Sequence, residues 1–373
     1  MFTFLHADTE LYRVNLKAIQ KKDETHTFWY VFLMTLRHLP SQTDLEHICV
    51  KISSWIKGYQ GQEVLIYGGT GFIGRWLATS LIEADKQFSL NMRIQIITRD
   101  AYKARQLFGI ENSKRISFIE HDFIEPKSDT EVSADIVFQG ATTSDKLFQE
   151  TYPETMYTSS VNATKHASLL MSKNLDKPTI IHLSSGAIYK AEGNLHHFQQ
   201  GATTMQIKHG EAYSLAKIHS ESILEEAFLQ GRIYYQSPRL FAFYGPLLPL
   251  KKHFAIGNFL SDGLSNKKIM LRGNPNTTRS YMYPTDLVYI LMRLHSYREY
   301  APINIGSDEA ITMKDLANLI SELTSKTEVV ILNPDAEVSI YVPEIDFIRK
   351  ELKISTFTSL ESGILKWKDW LNC

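Results

Sequence analysis

The chain has 373 residues, 43% hydrophobic and 22% charged, a composition that lets a globular protein bury a sizeable core in one large domain or two ordinary ones. With 40 Lys and Arg against 41 Asp and Glu, and no basic or acidic block, nothing points to nucleic acid or an anionic membrane as partner. Neither of the 2 cysteines, Cys49 and Cys373, belongs to a Cys-x-x-Cys pair, which argues against a disulfide framework or a cysteine zinc site and for a reducing, cytoplasmic setting.

In chain order, residues 1–60 read as a helical extension. A first helix is expected around 10–22. The apolar run 28–36 that follows is far below the roughly 20 residues a membrane-spanning helix needs, and it lacks the flanks of a signal peptide. A second helix opens at Ser41, with Asp44 three residues on in the manner of a capping box. Its Leu45, Ile48, Ile52, Trp55 and Ile56 recur at helical spacing. That stripe either packs on the main domain or docks a partner. From Gly61 the pattern becomes short apolar runs, at 64–67, 94–98, 116–119, 136–138, 180–183 and 234–238, alternating with helical stretches such as 75–84 and 213–229. This alternation predicts an α/β fold, a Rossmann-like doubly wound parallel sheet over 61–245. Residues 246–373, with helices expected around 255–263 and 313–324, read as a smaller substrate-binding cap with some elements returning to the sheet domain.

The segment Gly68, Gly69, Thr70, Gly71, Phe72, Ile73, Gly74 follows the first strand and opens a helix. There Gly68 permits a tight turn, Gly71 lets backbone approach a pyrophosphate and Gly74 lets helix and strand pack closely, with the helix N-terminus facing the phosphates. The second strand ends in Thr98, Arg99 and Asp100. An arginine at that place pairs with the 2′-phosphate of NADP, whereas an acid accepts from the ribose of NAD; Arg99 favours NADP and Asp100 keeps NAD open. Tyr213 and Lys217 stand four apart, one helical turn from each other. An ammonium beside a phenol, reinforced by an oxidised nicotinamide, is expected to lower the tyrosine pKa from about 10 and make it a general acid/base. The strand before it ends in Ser184 and Ser185, whose hydroxyls suit a reacting oxygen. His196, His197, His209 and His219 have no companion Glu or Cys at metal-ligand spacing, and no metal is expected.

In this order and spacing the motifs resemble those of the extended short-chain dehydrogenase/reductases, in particular the NAD-dependent epimerase/dehydratase family that modifies nucleotide sugars. The resemblance runs from about Glu63 to Leu371. It implies adenine contacts at Asp122 and Phe123, and cofactor contacts at Gly140, Ala141 and Thr142 after the fourth strand. It places Asn162 on the central helix, Ser185 as the catalytic serine, and Tyr213 and Lys217 as the acid/base pair that also touches the cofactor. Arg279 matches the arginine that holds the substrate diphosphate, with Ser184 and Ser185 beside the sugar. A homodimer built on residues 151–173 and 213–229 is also implied.

Departures from the family pattern narrow the reaction. The similar 4,6-dehydratases carry Asp and Glu directly after the catalytic Ser or Thr, and the decarboxylases keep a Glu in this segment; here stand Gly186 and Ala187, neither able to carry a proton. Ala242 replaces an Asn that often touches the diphosphate. The expectation is an NADP(H)-dependent reductase of a keto-sugar nucleotide, with Tyr213 as general acid. The alternative is a nucleotide-sugar epimerase with tightly bound NAD(P). A non-catalytic cofactor-binding scaffold is a third reading, which the retention of both Tyr213 and Lys217 opposes.

Overall fold

The computed structural model describes residues 38–124, 132–143, 145–171, 177–189, 212–298 and 303–372. The expected helix over 10–22 and the apolar run 28–36 lie outside them, as do His196, His197 and His209. Ser41 caps the helix α1 (Gln42–Ile52): its Oγ accepts from the Asp44 amide at 3.1 Å and donates to the Asp44 carboxylate at 3.0 Å. The apolar stripe is buried at Leu45, Ile48, Ile52 and Ile56, with Trp55 only partly covered.

Alternating strands and helices follow: β1 (Glu63–Tyr67), α2 (Phe72–Phe88), β2 (Arg93–Thr98), α3 (Ala101–Phe108), β3 (Ile116–Glu120), β4 (Ile136–Gln139), α4 (Lys146–Thr151), α5 (Pro153–Met171) and β5 (Thr179–His182). Then come β6 (Ser184–Ser185), α6 (Ala212–Leu229), β7 (Tyr234–Gln236) and β8 (Pro238–Leu240). The main sheet is parallel, in the order β3-β2-β1-β4-β5-β7, so the winding reverses between β1 and β4. Because helices cover both faces, the inner strands β1, β4 and β5 are buried along nearly their whole length instead of alternating, while the edge strand β3 exposes Ser117 and Glu120. On one face Leu65, Tyr67, Val137 and Ile180 meet Ala163 and Ala167 of α5 and Leu224 and Ala227 of α6; α2 covers the other.

Two expected strands are each divided. The run 180–183 leaves the main sheet after His182, and 234–238 leaves it at Ser237, so that β6 and β8 pair in a second parallel sheet. Pro238, with no amide hydrogen, is suited to begin a new strand rather than to continue an interior ladder. The second sheet holds Ser184 opposite Arg239 and Ser185 opposite Leu240, which fixes the serines on backbone rather than on a loose turn.

The rest of the chain forms α7 (Ala255–Leu264), β9 (Ile269–Leu271), β10 (Thr278–Arg279), α8 (Pro284–Arg293), β11 (Ile303–Ile305), β12 (Ile311–Thr312), α9 (Met313–Leu323), β13 (Val329–Ile331), β14 (Ile340–Tyr341), α10 (Asp346–Lys350) and α11 (Leu360–Asn372). Within it β9 pairs with β13, and β10 lies between β12 and β14. Other parts return to the main layers: β11 pairs with β8, and α8 packs on α1 and α2. The α1 contact is polar at its rim. Tyr283 donates to Asp44 at 2.9 Å, Lys51 reaches Asp286 at 2.6 Å, and the Tyr59 hydroxyl donates to the Met292 carbonyl at 2.8 Å. Among the described residues no helix is long and apolar enough to cross a membrane.

Candidate active site

A cavity of about 1600 Å³ opens at the C-terminal ends of the main strands, where the winding reverses, and extends to Phe254, Phe259, Arg272 and Arg279 in the part of the chain after β8. Pockets for drug-sized ligands span roughly 300–1,000 Å³, so this one is larger than a single such ligand needs. Gly68 has φ +73°, and a Cβ there would lie 2.8 Å from the Gly140 carbonyl oxygen. A Cβ on Gly74 would lie 2.2 Å from the Gly68 oxygen. The two strand ends and the start of α2 therefore approach too closely for any side chain. Gly71 is the N-cap of α2 and supplies no side chain to cap it, and Phe72, Ile73 and Gly74 of its first turn line the cavity beside Thr70. Uncapped amides at a helix start attract an anion.

Arg99 lines the same cavity, and its neighbour is committed elsewhere. The Asp100 carboxylate caps α3, accepting from the Lys103 amide at 2.9 Å and pairing with the Lys103 ammonium at 2.8 Å. Farther along, Asp122 accepts from the Ile124 amide at 2.9 Å, and Phe123 stacks on Tyr67 at 5.5 Å. Asn162 holds that segment by donating to the Phe123 carbonyl at 3.0 Å. Gly140, Ala141 and Thr142 line the cavity beside the glycine turn, and Thr142 is hydrogen-bonded to Ser160.

Ser185, Tyr213, Lys217 and Arg279 also border the cavity. Lys217 is buried, donates to the Leu183 carbonyl at 2.7 Å and lies 5.8 Å from the centre of the Tyr213 ring. Burial lowers its pKa to about 7, against the opposing pull of Glu221. For Tyr213 the free site differs from the expectation: burial pushes the phenol up, and the hydrogen bond with Ser185 works against that rise. Arg279 donates to the Ser339 carbonyl at 3.0 Å and to its hydroxyl at 2.8 Å, which anchors the guanidinium at the cavity wall.

Ser184 and Ser185 both line the cavity, and their hydroxyls have different protein partners. The Ser184 hydroxyl is given to the Glu221 carboxylate, which is paired with Arg239 at 3.0 Å in a nearly buried bridge. Arg239 also donates to the Tyr189 hydroxyl at 2.9 Å, and Tyr189 donates to Asn304 at 2.7 Å. Ser184 thus links the cavity wall to a buried polar network, and Ser185 is the serine whose hydrogen bond opposes the rise in Tyr213. Sequence reasoning passed over Glu221 and Arg239. Their signals were present: a Glu four residues after Lys217 on the same helix face, and a lone arginine in an apolar strand.

Tyr341 had no such signal. It enters from β14 beside Ser185, and its oxygen would lie 2.6 Å from a Cβ on Gly186, with the Phe241 ring at 2.8 Å. The position where the similar dehydratases carry an acid is thus filled from a distant strand.

A family model described as the NAD dependent epimerase/dehydratase family matches residues 64–306, from the start of β1 to the turn after β11. UDP-glucuronic acid decarboxylase 5 of Arabidopsis thaliana is 25% identical over 280 residues, covering 74% of this chain and 76% of the relative. Among solved structures, a UDP-N-acetylglucosamine 4-epimerase from Methanobrevibacter ruminantium, in complex with UDP-N-acetylmuramic acid, aligns with TM-score 0.70 at 18% identity, covering 84% of this chain and 99% of that one. WbmF of Bordetella bronchiseptica, in complex with NAD+, aligns with TM-score 0.64 at 18% identity, covering 84% and 94%. The sheet order, the glycine turn at the winding reversal and a family match over most of the chain lead to one assignment: the chain belongs to the NAD dependent epimerase/dehydratase family.

Proposed function

We propose that the protein is an NADP(H)-linked oxidoreductase of nucleotide sugars that reduces a keto-sugar nucleotide. The observation that carries the reading is the make-up of the reacting end: Tyr213, Lys217 and Ser185 are present, and the place of a dehydratase acid at Gly186 is closed by Tyr341 and Phe241. Such a site can move a proton to or from one oxygen and has no carboxylate at Gly186 or Ala187 to expel a hydroxyl. The decarboxylases among the relatives do not alter this, because Ala187 stands where that group is expected to keep a Glu.

The glycine turn, the open start of α2 and the wall at Gly140 fit a dinucleotide, and a bound nicotinamide would supply the hydride. Arg99 lines the cavity while Asp100 caps α3, which supports Arg99 as the partner of a 2′-phosphate. Tyr213 then protonates the oxygen that gains negative charge, Ser185 holds that oxygen, and Lys217 stabilises the tyrosine after proton loss. Arg279 provides the cation for a substrate diphosphate. Epimerisation is the second reading, favoured by the epimerase among the structural neighbours.

Equilibrium binding of NADPH and NADH to wild type and Arg99→Asp, followed by turnover of keto-sugar and ordinary UDP-sugars, tests the reading. An NADPH preference of at least about tenfold, or about 1.4 kcal/mol, lost in Arg99→Asp and coupled to ketone reduction, is the expected result. Equal binding of NADH together with interconversion of epimers moves the assignment to the second reading. Binding of neither cofactor overturns both.

A further inference from the structure

Arg279 is half-buried at the cavity wall, and its partners among the described residues are neutral. Its Nη1 donates to the Thr278 carbonyl at 2.8 Å and to the Ser339 carbonyl at 3.0 Å, and its Nη2 donates to the Ser339 hydroxyl at 2.8 Å. A guanidinium has five N–H groups in one plane, two on each Nη and one on Nε. Three are engaged here, both of Nη1 and one of Nη2. Ser339 holds the tip of the plane, where Nη1 and Nη2 project side by side. The two N–H groups left are therefore that of Nε and the one of Nη2 beside it. They run parallel along one edge, the fork that matches two oxygens of a phosphate or carboxylate.

Ser339 is itself fixed. Its carbonyl also accepts from the Thr278 amide at 2.9 Å, so both acceptor positions of that oxygen are filled and the residue is tied to β10 just before β14 pairs with it. The guanidinium cannot turn its tip to a ligand without breaking bonds to a strand ladder. A partly buried cation with only neutral partners is also poorly compensated. Arg239, buried in β8, has Glu221 at 3.0 Å, whereas Arg279 has no such carboxylate. An anion at the open edge supplies what is missing. We propose that Ser339 is a positioning residue for the substrate: it occupies the tip of Arg279, so that the Nε–Nη2 edge meets two oxygens of one phosphate of the nucleotide-sugar diphosphate. Ser339 lies beyond residues 64–306, the span of the family match. The identity of the anion rests on the function proposed above; the grip of Ser339 on Arg279 does not.

Calorimetry on full-length protein with UDP, GDP and dTDP, each in saturating NADP+ to occupy the dinucleotide site, compares wild type, Ser339→Ala, Ser339→Thr, Arg279→Met and Arg279→Met with Ser339→Ala. For the nucleoside diphosphate that binds wild type best, Ser339→Ala is expected to weaken binding about tenfold, the scale of one hydrogen bond to a charged group. Ser339→Thr keeps the hydroxyl and should restore wild-type affinity. Ser339→Ala should add nothing to Arg279→Met, because it acts through the guanidinium, and NADP+ affinity should be unchanged throughout. In spectra of 15N-arginine protein without ligand, with Arg279 assigned by loss in Arg279→Met, its Nη1 and Nη2 signals should be separate in wild type and merge in Ser339→Ala as the tip is released. Wild-type diphosphate affinity in Ser339→Ala, its full factor added to Arg279→Met, no rescue by Ser339→Thr, or an equal loss of NADP+ affinity overturns the proposal. Nη signals that stay separate in Ser339→Ala overturn it as well. If no nucleoside diphosphate binds wild type, the substrate class proposed above fails, and the spectra of the free protein decide the grip of Ser339 by themselves.

Discussion

Lys217 carries two opposed demands. Its ammonium is needed beside Tyr213, yet burial lowers its pKa from 10.5 to about 7, which makes the charged form costly in the folded state. The sign of the consequence is fixed by linkage: the unfolded chain binds the proton up to its ordinary pKa, so the burden is full below about pH 7 and fades as pH rises toward 10.5. Lys217→Met is therefore expected to gain melting temperature relative to wild type most below neutrality, with the gain shrinking through the alkaline range. A gain independent of pH in thermal melts would show that the lysine is not charged and buried as described. Tyr213, Lys217 and Ser185 were legible as residue types at fixed spacing, because one helical turn and one strand end are local geometry. The direction of the tyrosine shift was not, since burial is set by what packs over the ring.

At the scale of elements, the glycine turn and the divided strands control the site. A methyl on Gly74 would overlap the Gly68 carbonyl, so α2 must move away from β1, and the first turn that lines the cavity moves with it. Gly74→Ala is expected to weaken dinucleotide binding more than about tenfold, or about 1.4 kcal/mol, in calorimetry while far-ultraviolet circular dichroism stays close to wild type. The Arg239–Glu221 bridge joins β8 to α6 behind Ser184, with both side chains almost out of solvent. Arg239→Met leaves a buried carboxylate unpaired and should cost about 3–5 kcal/mol in denaturant unfolding, partly recovered by adding Glu221→Gln. If the single variant unfolds like wild type, the bridge is not a buried pair in solution. The existence of these strands was readable from apolar runs, but their division was not: 180–185 and 234–240 are continuous in sequence, and only the pairing of β8 with β6 and β11 separates them.

For the whole molecule, α5 and α6 lie side by side and expose Leu169 and Leu229, at 61% and 76% of their full area. Two such pairs brought together would form a four-helix contact, the dimer that the family resemblance implies. Light scattering is expected to give twice the chain mass for wild type and the single mass for Leu169→Glu with Leu229→Glu; a wild-type monomer removes the dimer. The sequence alone determined the doubly wound class, the place of the glycine turn and the Tyr213–Lys217 pair, because hydrophobic period, turn chemistry and one-turn spacing are properties of adjacent residues. Tertiary structure alone decided that Ser184 serves Glu221 while Ser185 serves Tyr213, that Asp100 is spent on α3, and that Tyr341 stands over Gly186 from a strand more than 150 residues away. Those outcomes depend on which hydrogen-bonding groups meet in space, and contacts across such separations leave no period in the chain to read.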